Sequence, residues 1–283
     1  MTIDQNAFGM LNHSGDLIAV FSADGSLLVA NDSFTRQFGS AENFAFSDLI
    51  PDGADLISSV LDAHEKGKQV RLDLEVPATQ YGSLILDARL FVAEDSDRQI
   101  VMTARDVSSD RAYVRQLEHK ATTDELTGAF NRTQLLIMLS QAIRLSIRSK
   151  STGCFLFFDL NGFKNINDSL GHDAGDKLLV ETVRVLKANL RESDVVARVG
   201  GDEFAIILNS TDSELGSKKA AQLAEAISAI SVGDQHEVTV SIGLVEFPSS
   251  DRSPEEIITT ADHAMYQAKR ESKAVVVSDL APG

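Results

Sequence analysis

The stretch RVGGDEFAIIL, which begins at residue 198, constrains the fold of this chain more than any other segment. Its apolar ends have the composition of buried strands, and Gly200-Gly201 suits a tight turn that joins those strands into a hairpin. Asp202 and Glu203 follow the glycines directly. A turn between strands has no need of two neighbouring carboxylates, so this pair is a candidate functional site.

A second carboxylate stands at the end of another apolar run, in CFLFFDLNGFKNIND. A buried strand would deliver Asp159 at its tip, close to Asp202 and Glu203 if the hairpin lies alongside. Converging carboxylates repel one another unless a cation lies between them, and oxygen ligands of this kind suit Mg²⁺. Lys164 adds a cation where a polyphosphate would need one. The alternative is a solvated turn that happens to be acidic.

The composition limits the possible partners and compartments. The chain has 283 residues, enough for two domains, and its net charge of −16 argues against general affinity for DNA or anionic membranes. Its single cysteine, Cys154, excludes an intramolecular disulfide and a CxxC metal cluster. The sequence shows neither a signal peptide nor an apolar run of about 20 residues. We therefore expect a cytoplasmic protein with no nucleic-acid partner and no membrane insertion.

The first part of the chain reads as short strands separated by turns. Strand patterns at 17–21 and 26–30 precede a helical pattern at 55–66, and three further strands follow. These predict a small antiparallel sheet with helices on one side. Between the two parts, Val107, Val114 and Ala121 recur every seven residues, with Leu117 at the intermediate position. This spacing fits a short parallel coiled coil or an ordinary amphipathic linker helix.

From residue 124 onward, longer helices alternate with strands. The apolar periodicity predicts helices over RTQLLIMLSQAIRLSIRSK, over DKLLVETVRVLKANL from Asp176, and over SPEEIITTADHAMYQAKRES near the end. Ser253 and Pro254 have the residue types of an N-cap and a first helical position. The pattern predicts an α+β arrangement with a mixed sheet, and the absence of GxGxxG at a helix start argues against a Rossmann fold.

Five motifs occur in the order seen in GGDEF-domain diguanylate cyclases, which this part of the chain resembles. They are DELTGAFNR (124–132), FFDLNGFKNINDSLGHDAGD (157–176), RVGGDEF (198–204), VSIGL (240–244) and AMYQAK (264–269). The resemblance implies a domain over 123–280 similar to the nucleotidyl cyclase palm, with a central mixed sheet flanked by helices. It also implies an enzyme that joins two GTP into cyclic di-GMP and releases pyrophosphate.

The resemblance assigns roles to individual residues. Asp202 and Glu203 match catalytic positions, and the metal ligands for Mg²⁺ (or Mn²⁺) match Asp159, Asp202 and the main chain of Leu160. The positions that bind GTP match Gly162, Phe163, Lys164, Asn167, Asp176, Gly200, Gly201, Lys269 and Lys273. Among these, Asn167 and Asp176 would read guanine, since Asp176 can accept hydrogen bonds from the N1–H and the amino group, a pair that adenine does not offer.

Three positions depart from the family pattern, and one pair matches a regulatory site of the family. Ala129 replaces a common leucine, which is a packing change. Lys273 stands where an arginine is usual, which keeps the charge but loses the guanidinium fork, and Asn161 replaces a frequent second aspartate. Arg191 and Asp194, in RESD, match the RxxD site that binds the product and causes feedback inhibition. The alternative for RESD is an ordinary polar helix end.

Residues 7–107 resemble a PAS sensor domain, that is, an antiparallel sheet with flanking helices that ends at RDVS. With no cysteine here a flavin-adduct photosensor is excluded. His64 could face a haem or lie on a helix surface; we predict no PAS cofactor. The resemblance implies that residues 108–122 form a signalling linker helix (coiled coil) and that the chain forms a homodimer through the PAS domain and this helix.

Three functions are compatible with these motifs. The first is an active diguanylate cyclase under sensor control, with GTP and cyclic di-GMP as its small-molecule partners. The second is a silent module that binds cyclic di-GMP through RESD; the intact acids and Lys164 argue against it. The third is a cyclase that makes a mixed dinucleotide, against which Asp176 argues.

Overall fold

The structure is a computed structural model that describes residues 14–39, 44–50, 53–78, 82–93, 98–231, 237–247 and 252–278. The chain divides into two compact units, Met1–Gln116 and Leu117–Gly283. The domain ends predicted at residues 7 and 280 lie outside the described residues. Among the described residues, no helix has both the length and the apolar composition needed to span a bilayer.

The first unit contains one five-stranded antiparallel sheet with strand order β2-β1-β5-β4-β3. Among the described residues, three helices come between β2 and β3 in the chain. The strands are β1 (Leu17–Phe21), β2 (Leu27–Ala30), β3 (Val70–Ala78), β4 (Gly82–Val92) and β5 (Ile100–Asp106), and the helices are α1 (Asp32–Phe38), α2 (Phe46–Leu49) and α3 (Gly53–Glu65). The sheet agrees with the antiparallel arrangement that the strand patterns predict.

A buried asparagine connects the sheet of the first unit to its first helix. Asn31 is fully buried; its Oδ1 accepts hydrogen bonds from the amides of Phe34, at 3.0 Å, and Ile18, at 3.1 Å. The first bond caps α1 and the second reaches β1, so one side chain satisfies donors that would otherwise be orphaned. His64 lies on α3 with an exposed side chain, as expected for a surface histidine.

Helix α4 (Ser108–Thr122) leaves the first unit and has no buried residue. The Oγ of Ser108 accepts a hydrogen bond from the amide of Ile85 at 2.9 Å, which fixes the start of the helix to β4. Further along, Tyr113, Val114 and Leu117 expose 63%, 50% and 47% of their surface. These are the largest apolar side chains of the helix, and no described residue buries them.

The second unit contains a five-stranded mixed sheet with order β10-β9-β6-β8-β7, in which only β10 and β9 run parallel. Its strands are β6 (Gly153–Asn161), β7 (Val195–Gly200), β8 (Glu203–Leu208), β9 (Thr239–Phe247) and β10 (Val275–Ser278). Its helices are α5 (Arg132–Ser149), α6 (Phe163–Leu170), α7 (His172–Asn189), α8 (Ser213–Ser228) and α9 (Pro254–Glu271). The predicted α+β arrangement is confirmed for this unit.

The two faces of this sheet carry separate hydrophobic cores. On the central strand β6, Leu156 and Phe158 belong to the core that packs α6, α7 and α8. Phe155 and Phe157 point the other way, into the core shared with α5 and α9. Because side chains alternate along a strand, Asp159 lies on the α5–α9 face.

The sequence pattern predicts the start of the long helix incorrectly. That helix was expected from Asp176, whereas α7 begins at His172 and is preceded by the separate short helix α6. Phe163, Ile166 and Leu170 do have helical spacing in α6, but its eight residues are fewer than the roughly 11–18 over which apolar periodicity identifies a helix. Gly162 caps its start with φ of +74°, a left-handed conformation that glycine adopts readily.

Candidate active site

Three strands bring polar side chains into one row at the end of the mixed sheet. Asp159 on β6 pairs in register with Glu203 on β8 and with Ser241 on β9. Residues directly opposite one another on antiparallel strands share a face, so the three side chains are neighbours. The amide of Leu160 donates to the carbonyl of Asp202 at 3.2 Å, which places the hairpin turn against β6.

Asp159 is the most buried of the predicted site carboxylates, with 8% of its surface exposed. Its Oδ2 pairs with the Nζ of Lys269, which projects from α9. Its Oδ1 is buried, and within the described part of the chain it has no hydrogen-bond partner. An unpaired buried carboxylate oxygen is costly. This oxygen is therefore suited to bind a cation.

The oxygens at this end of the sheet fit a hard divalent cation that keeps open positions. In the residues that the structure describes, no three acidic, histidine or cysteine side chains already converge in a ligating arrangement. A site built on Asp159 and Asp202 would therefore need main-chain carbonyl, water and substrate oxygens to complete it. Mg²⁺ is commonly bound in this way, by one or two carboxylates and substrate phosphates.

Glu203 lies at the start of β8 beside a cleft of about 330 Å³. Burial raises the pKa of its carboxyl, and the nearby charges of Asp202, Asp262 and Asp159 raise it further, with Arg132 opposing them in part. Arg132 and Asp262 both line this cleft. Sequence reasoning missed both residues, although Arg132 ends the DELTGAFNR motif and Asp262 lies seven residues before Lys269 on α9.

An ion pair that sequence reasoning did not identify holds the glycine turn in place. The Nη1 of Arg198 lies 3.1 and 3.2 Å from the two carboxylate oxygens of Asp124, and its Nε donates to the carbonyl of Gly201 at 2.9 Å. Burial alone would raise the pKa of Asp124, but hydrogen bonds from Thr127 and Arg198 outweigh it and lower that pKa. In the sequence, Asp124 begins the DELTGAFNR motif and Arg198 begins the RVGGDEF motif, and these positions were the signal that could have identified the pair.

The residues predicted to bind the nucleotide lie around α6 and the first turn of α7. Phe163 packs against the adjoining core, whereas Lys164 is exposed. The Oδ1 of Asn167 is buried and, among the described residues, has no partner. Asp176 is exposed and lines a cavity of about 710 Å³ whose walls include Leu126 and Leu170. This cavity combines apolar walls with a carboxylate, as a base-binding pocket requires.

Lys273 and Lys269 line the same cavity, which shares no lining residue, among those described, with the cleft beside Glu203. The Nζ of Lys273 pairs with Glu271 at 2.7 Å, and its side chain lines this cavity of about 390 Å³ together with Lys269 and Asn161. The amide of Asn161 donates to the hydroxyls of Thr239 and Ser241, each at 3.1 Å. The departure from aspartate at 161 thus places a neutral hydrogen-bonding group next to the lysines.

The RESD residues stand apart from this site. Asp194 directly precedes β7, and Gly200 ends that strand, so the length of β7 separates them. The Oδ2 of Asp194 accepts from the amide of Arg191 at 3.0 Å, and its Oδ1 accepts from the amide of Asn209 at 3.4 Å. Arg191 is exposed. The pair forms a stable turn that presents the arginine to solvent.

The family model described as "Diguanylate cyclase, GGDEF domain" matches residues 121–274. The chain belongs to the GGDEF diguanylate cyclase family. Two Pseudomonas aeruginosa proteins of this family, the bifunctional diguanylate cyclase/cyclic di-GMP phosphodiesterase MucR and the diguanylate cyclase TpbB, are each 38% identical to it over 161 residues. These matches cover 56% of this chain but only 24% of MucR and 37% of TpbB. The chain thus spans well under half the length of either relative.

Solved GGDEF structures agree with the fold of the second unit. The coiled coil and GGDEF domain of DgcB from Caulobacter crescentus, solved with c-di-GMP, match with a TM-score of 0.57 and 26% identity. That match covers 61% of this chain and 93% of DgcB's. The diguanylate cyclase SiaD from Pseudomonas aeruginosa, solved with its activator SiaC, matches with a TM-score of 0.51 and 29% identity, covering 61% and 66% of the two chains.

Proposed function

We propose that this chain is a diguanylate cyclase, which joins two GTP into cyclic di-GMP and releases two pyrophosphates. The observation that carries the proposal is the buried, unpaired Oδ1 of Asp159 in the same row as Glu203, with Lys269 on the other oxygen. Strand pairing and one ion pair bring Asp159, Glu203 and Lys269 together, and this supports a site for a metal-bound triphosphate. Membership of the family and the names of its relatives support the same reaction.

Asp159, Asp202 and the main-chain carbonyl of Leu160 would hold Mg²⁺ or Mn²⁺ at this end of the sheet. When bound, the ion neutralises phosphate charge and stabilises the charge that develops during in-line displacement. Lys164, Lys269 and Lys273 would bind phosphate oxygens, and the backbone at Gly162 and Phe163 would approach them closely. The space beside Gly200 and Gly201 leaves room for the nucleotide, because a Cβ built at either position would have no atom within 4 Å.

Glu203 is the residue best placed to accept the proton of the attacking 3′-hydroxyl. Burial and neighbouring carboxylates raise its pKa, which makes the Glu203 carboxylate a stronger base for removing the proton of the hydroxyl. Asp202 is the second candidate for this role. Asn167 and Asp176 would select guanine: the Oδ1 of Asn167 is a buried acceptor that has no partner among the described residues, and Asp176 supplies a carboxylate to the cavity that it lines.

The test is incubation of the purified chain with Mg²⁺ and GTP, once without and once with ATP, with products separated by chromatography. Wild type should form cyclic di-GMP and Asp202→Ala should form none, while Glu225→Ala, which removes an exposed acid on α8, should match wild type. If wild type is inactive yet binds cyclic di-GMP through Arg191, the chain is a receptor and the proposal is wrong. If a mixed dinucleotide is formed from GTP and ATP, the assignment of Asp176 is wrong.

The first unit is the proposed PAS sensor, and α4 is the proposed signalling and dimerising helix. Support comes from the antiparallel sheet with three helices between β2 and β3, and from the uncovered Tyr113, Val114 and Leu117 on α4. Each site binds one GTP and the product contains two, so two sites must face each other. A signal that shifts the helix register would change the rate. The idea fails if deletion of residues 1–106 leaves both dimerisation and activity intact.

The RESD turn is the proposed site of product inhibition. Asp194 holds the loop through two backbone amides, and the exposed Arg191 is available for a guanine base. Cyclic di-GMP should therefore inhibit wild type and Lys218→Ala, an exposed cation on α8, at similar concentrations. Inhibition of Arg191→Ala should require a much higher concentration. Equal inhibition of all three would place the inhibitory site elsewhere.

A further inference from the structure

Gly175 occupies an unusual place in the first turn of α7. It is buried and helical, it does not adopt a positive φ, and it directly precedes Asp176. A glycine inside a helix weakens it relative to alanine, because glycine loses more backbone freedom on folding. Since the backbone conformation does not need glycine here, the reason must lie in what packs against this position.

The side chain of Asn167 packs directly onto Gly175. A Cβ at position 175 would lie 1.9 Å from the Oδ1 of Asn167 and 2.9 Å from its Cγ, with the ring of Phe163 next at 3.1 Å. The first two distances are too short for real contacts, so a methyl group and this amide cannot occupy these positions together. The side-chain amide of Asn167 therefore packs against the backbone of α7 at Gly175, the residue before Asp176.

The same oxygen of Asn167 lacks a donor. It is buried and has no hydrogen-bond partner within the part of the chain that the structure describes. A buried acceptor of this kind is stable only when a donor reaches it. Asp176, the residue after Gly175, lines the cavity described above, and guanine carries two adjacent donors, the N1–H and the 2-amino group.

We propose that Gly175 is a positioning residue for base selection, because its missing side chain lets Asn167 hold its acceptor beside Asp176. This inference rests on the proposed function, in which these two residues read guanine. Gly175→Ala should force the amide of Asn167 to rotate away, leaving Asp176 as the remaining acceptor. Gly175→Ala should therefore weaken the binding of the guanine 2-amino group and leave the binding of phosphate unchanged.

The experiment compares the affinities of GDP and inosine diphosphate by calorimetry on the full chain. These nucleotides lack the triphosphate that the reaction consumes, and hypoxanthine differs from guanine only in lacking the 2-amino group. Wild type should prefer GDP by about tenfold, the worth of a well-made buried hydrogen bond. In Gly175→Ala this preference should fall to that of Asn167→Ala, with little change in the affinity for inosine diphosphate.

Gly216→Ala is the matched control. Gly216 is also a buried helical glycine, on α8, and a Cβ there would lie 2.6 Å from the Sγ of Cys154. This variant overpacks the same core without touching Asn167, so it should lose stability and keep the wild-type preference for GDP. If Gly216→Ala loses the preference as well, general loosening explains the effect and the inference is wrong.

The remaining outcomes separate this inference from the proposed function. If wild type binds neither nucleotide, or binds both equally, guanine selection fails and the inference fails with it. If wild type prefers GDP and Gly175→Ala retains that preference, the inference alone is overturned. If Gly175→Ala does not fold, the double variant Asn167→Ala/Gly175→Ala decides. Recovery of folding supports the steric relation, and continued misfolding overturns it.

Discussion

Removal of the Arg198 side chain should loosen the glycine turn by an amount that the structure allows us to work out. Arg198 makes two hydrogen bonds to Asp124 and one to the carbonyl of Gly201, and the two side chains are only 14% and 24% exposed. Loss of one partner of a buried ion pair costs about 3–5 kcal/mol. Both side chains retain some contact with water, and Asp124 keeps its bonds from Thr127. We therefore expect Arg198→Ala to lower the free energy of unfolding by about 2–3 kcal/mol.

The assay is urea unfolding of the full chain, arranged as a double-mutant cycle with Asp124→Ala. Direct pairing predicts a coupling free energy of about 1–2 kcal/mol between the two positions. Arg198→Lys keeps the charge but cannot reproduce the fork of the guanidinium, so its stability should lie between wild type and Arg198→Ala. Activity should fall with stability, because the freed turn carries Asp202.

The pH dependence supplies an independent check. The pKa of Asp124 is lowered in the folded chain, so its contribution is complete above its unfolded pKa of about 4 and is lost as the pH falls through the folded value. The stability difference between wild type and Arg198→Ala should therefore shrink in acid. A coupling below about 0.5 kcal/mol, or a difference that does not change with pH, would refute this account of the turn.

Three further predictions concern single positions. Ser272 ends α9 with φ of +54°, so Ser272→Gly should raise the free energy of unfolding by about 0.5–1 kcal/mol, measured by urea unfolding. Because the pKa of Glu203 is raised in the folded chain, its ionisation costs stability; Glu203→Gln in chelating buffer should be more stable than wild type at neutral pH and equally stable below about pH 4. Burial raises the pKa of Cys154 to about 12, so iodoacetamide should label it in urea but not in the native chain at mildly alkaline pH, as mass spectrometry would show.

Local signals in the sequence were sufficient for several elements. The glycines between two apolar runs predicted the hairpin of β7 and β8, and Ser253-Pro254 predicted the start of α9, where a capping box is observed. These features depend on a few consecutive residues, so their physics can be read without knowing the fold. Helix α6 shows the limit of this reading, because its eight residues are too few for the spacing of Phe163, Ile166 and Leu170 to identify a helix.

The linear order of residues is enough to identify the chemical groups that this protein carries and the family to which they belong. How those groups meet depends on the folded chain. The register of β6 with β8 and β9 places Asp159 beside Glu203 and Ser241, and a shift of one residue would turn Asp159 to the opposite face of the sheet. The pairing of Asp159 with Lys269, 110 positions later, depends on how α9 packs against the sheet. Such contacts are set by long-range packing, which no local pattern of residues records.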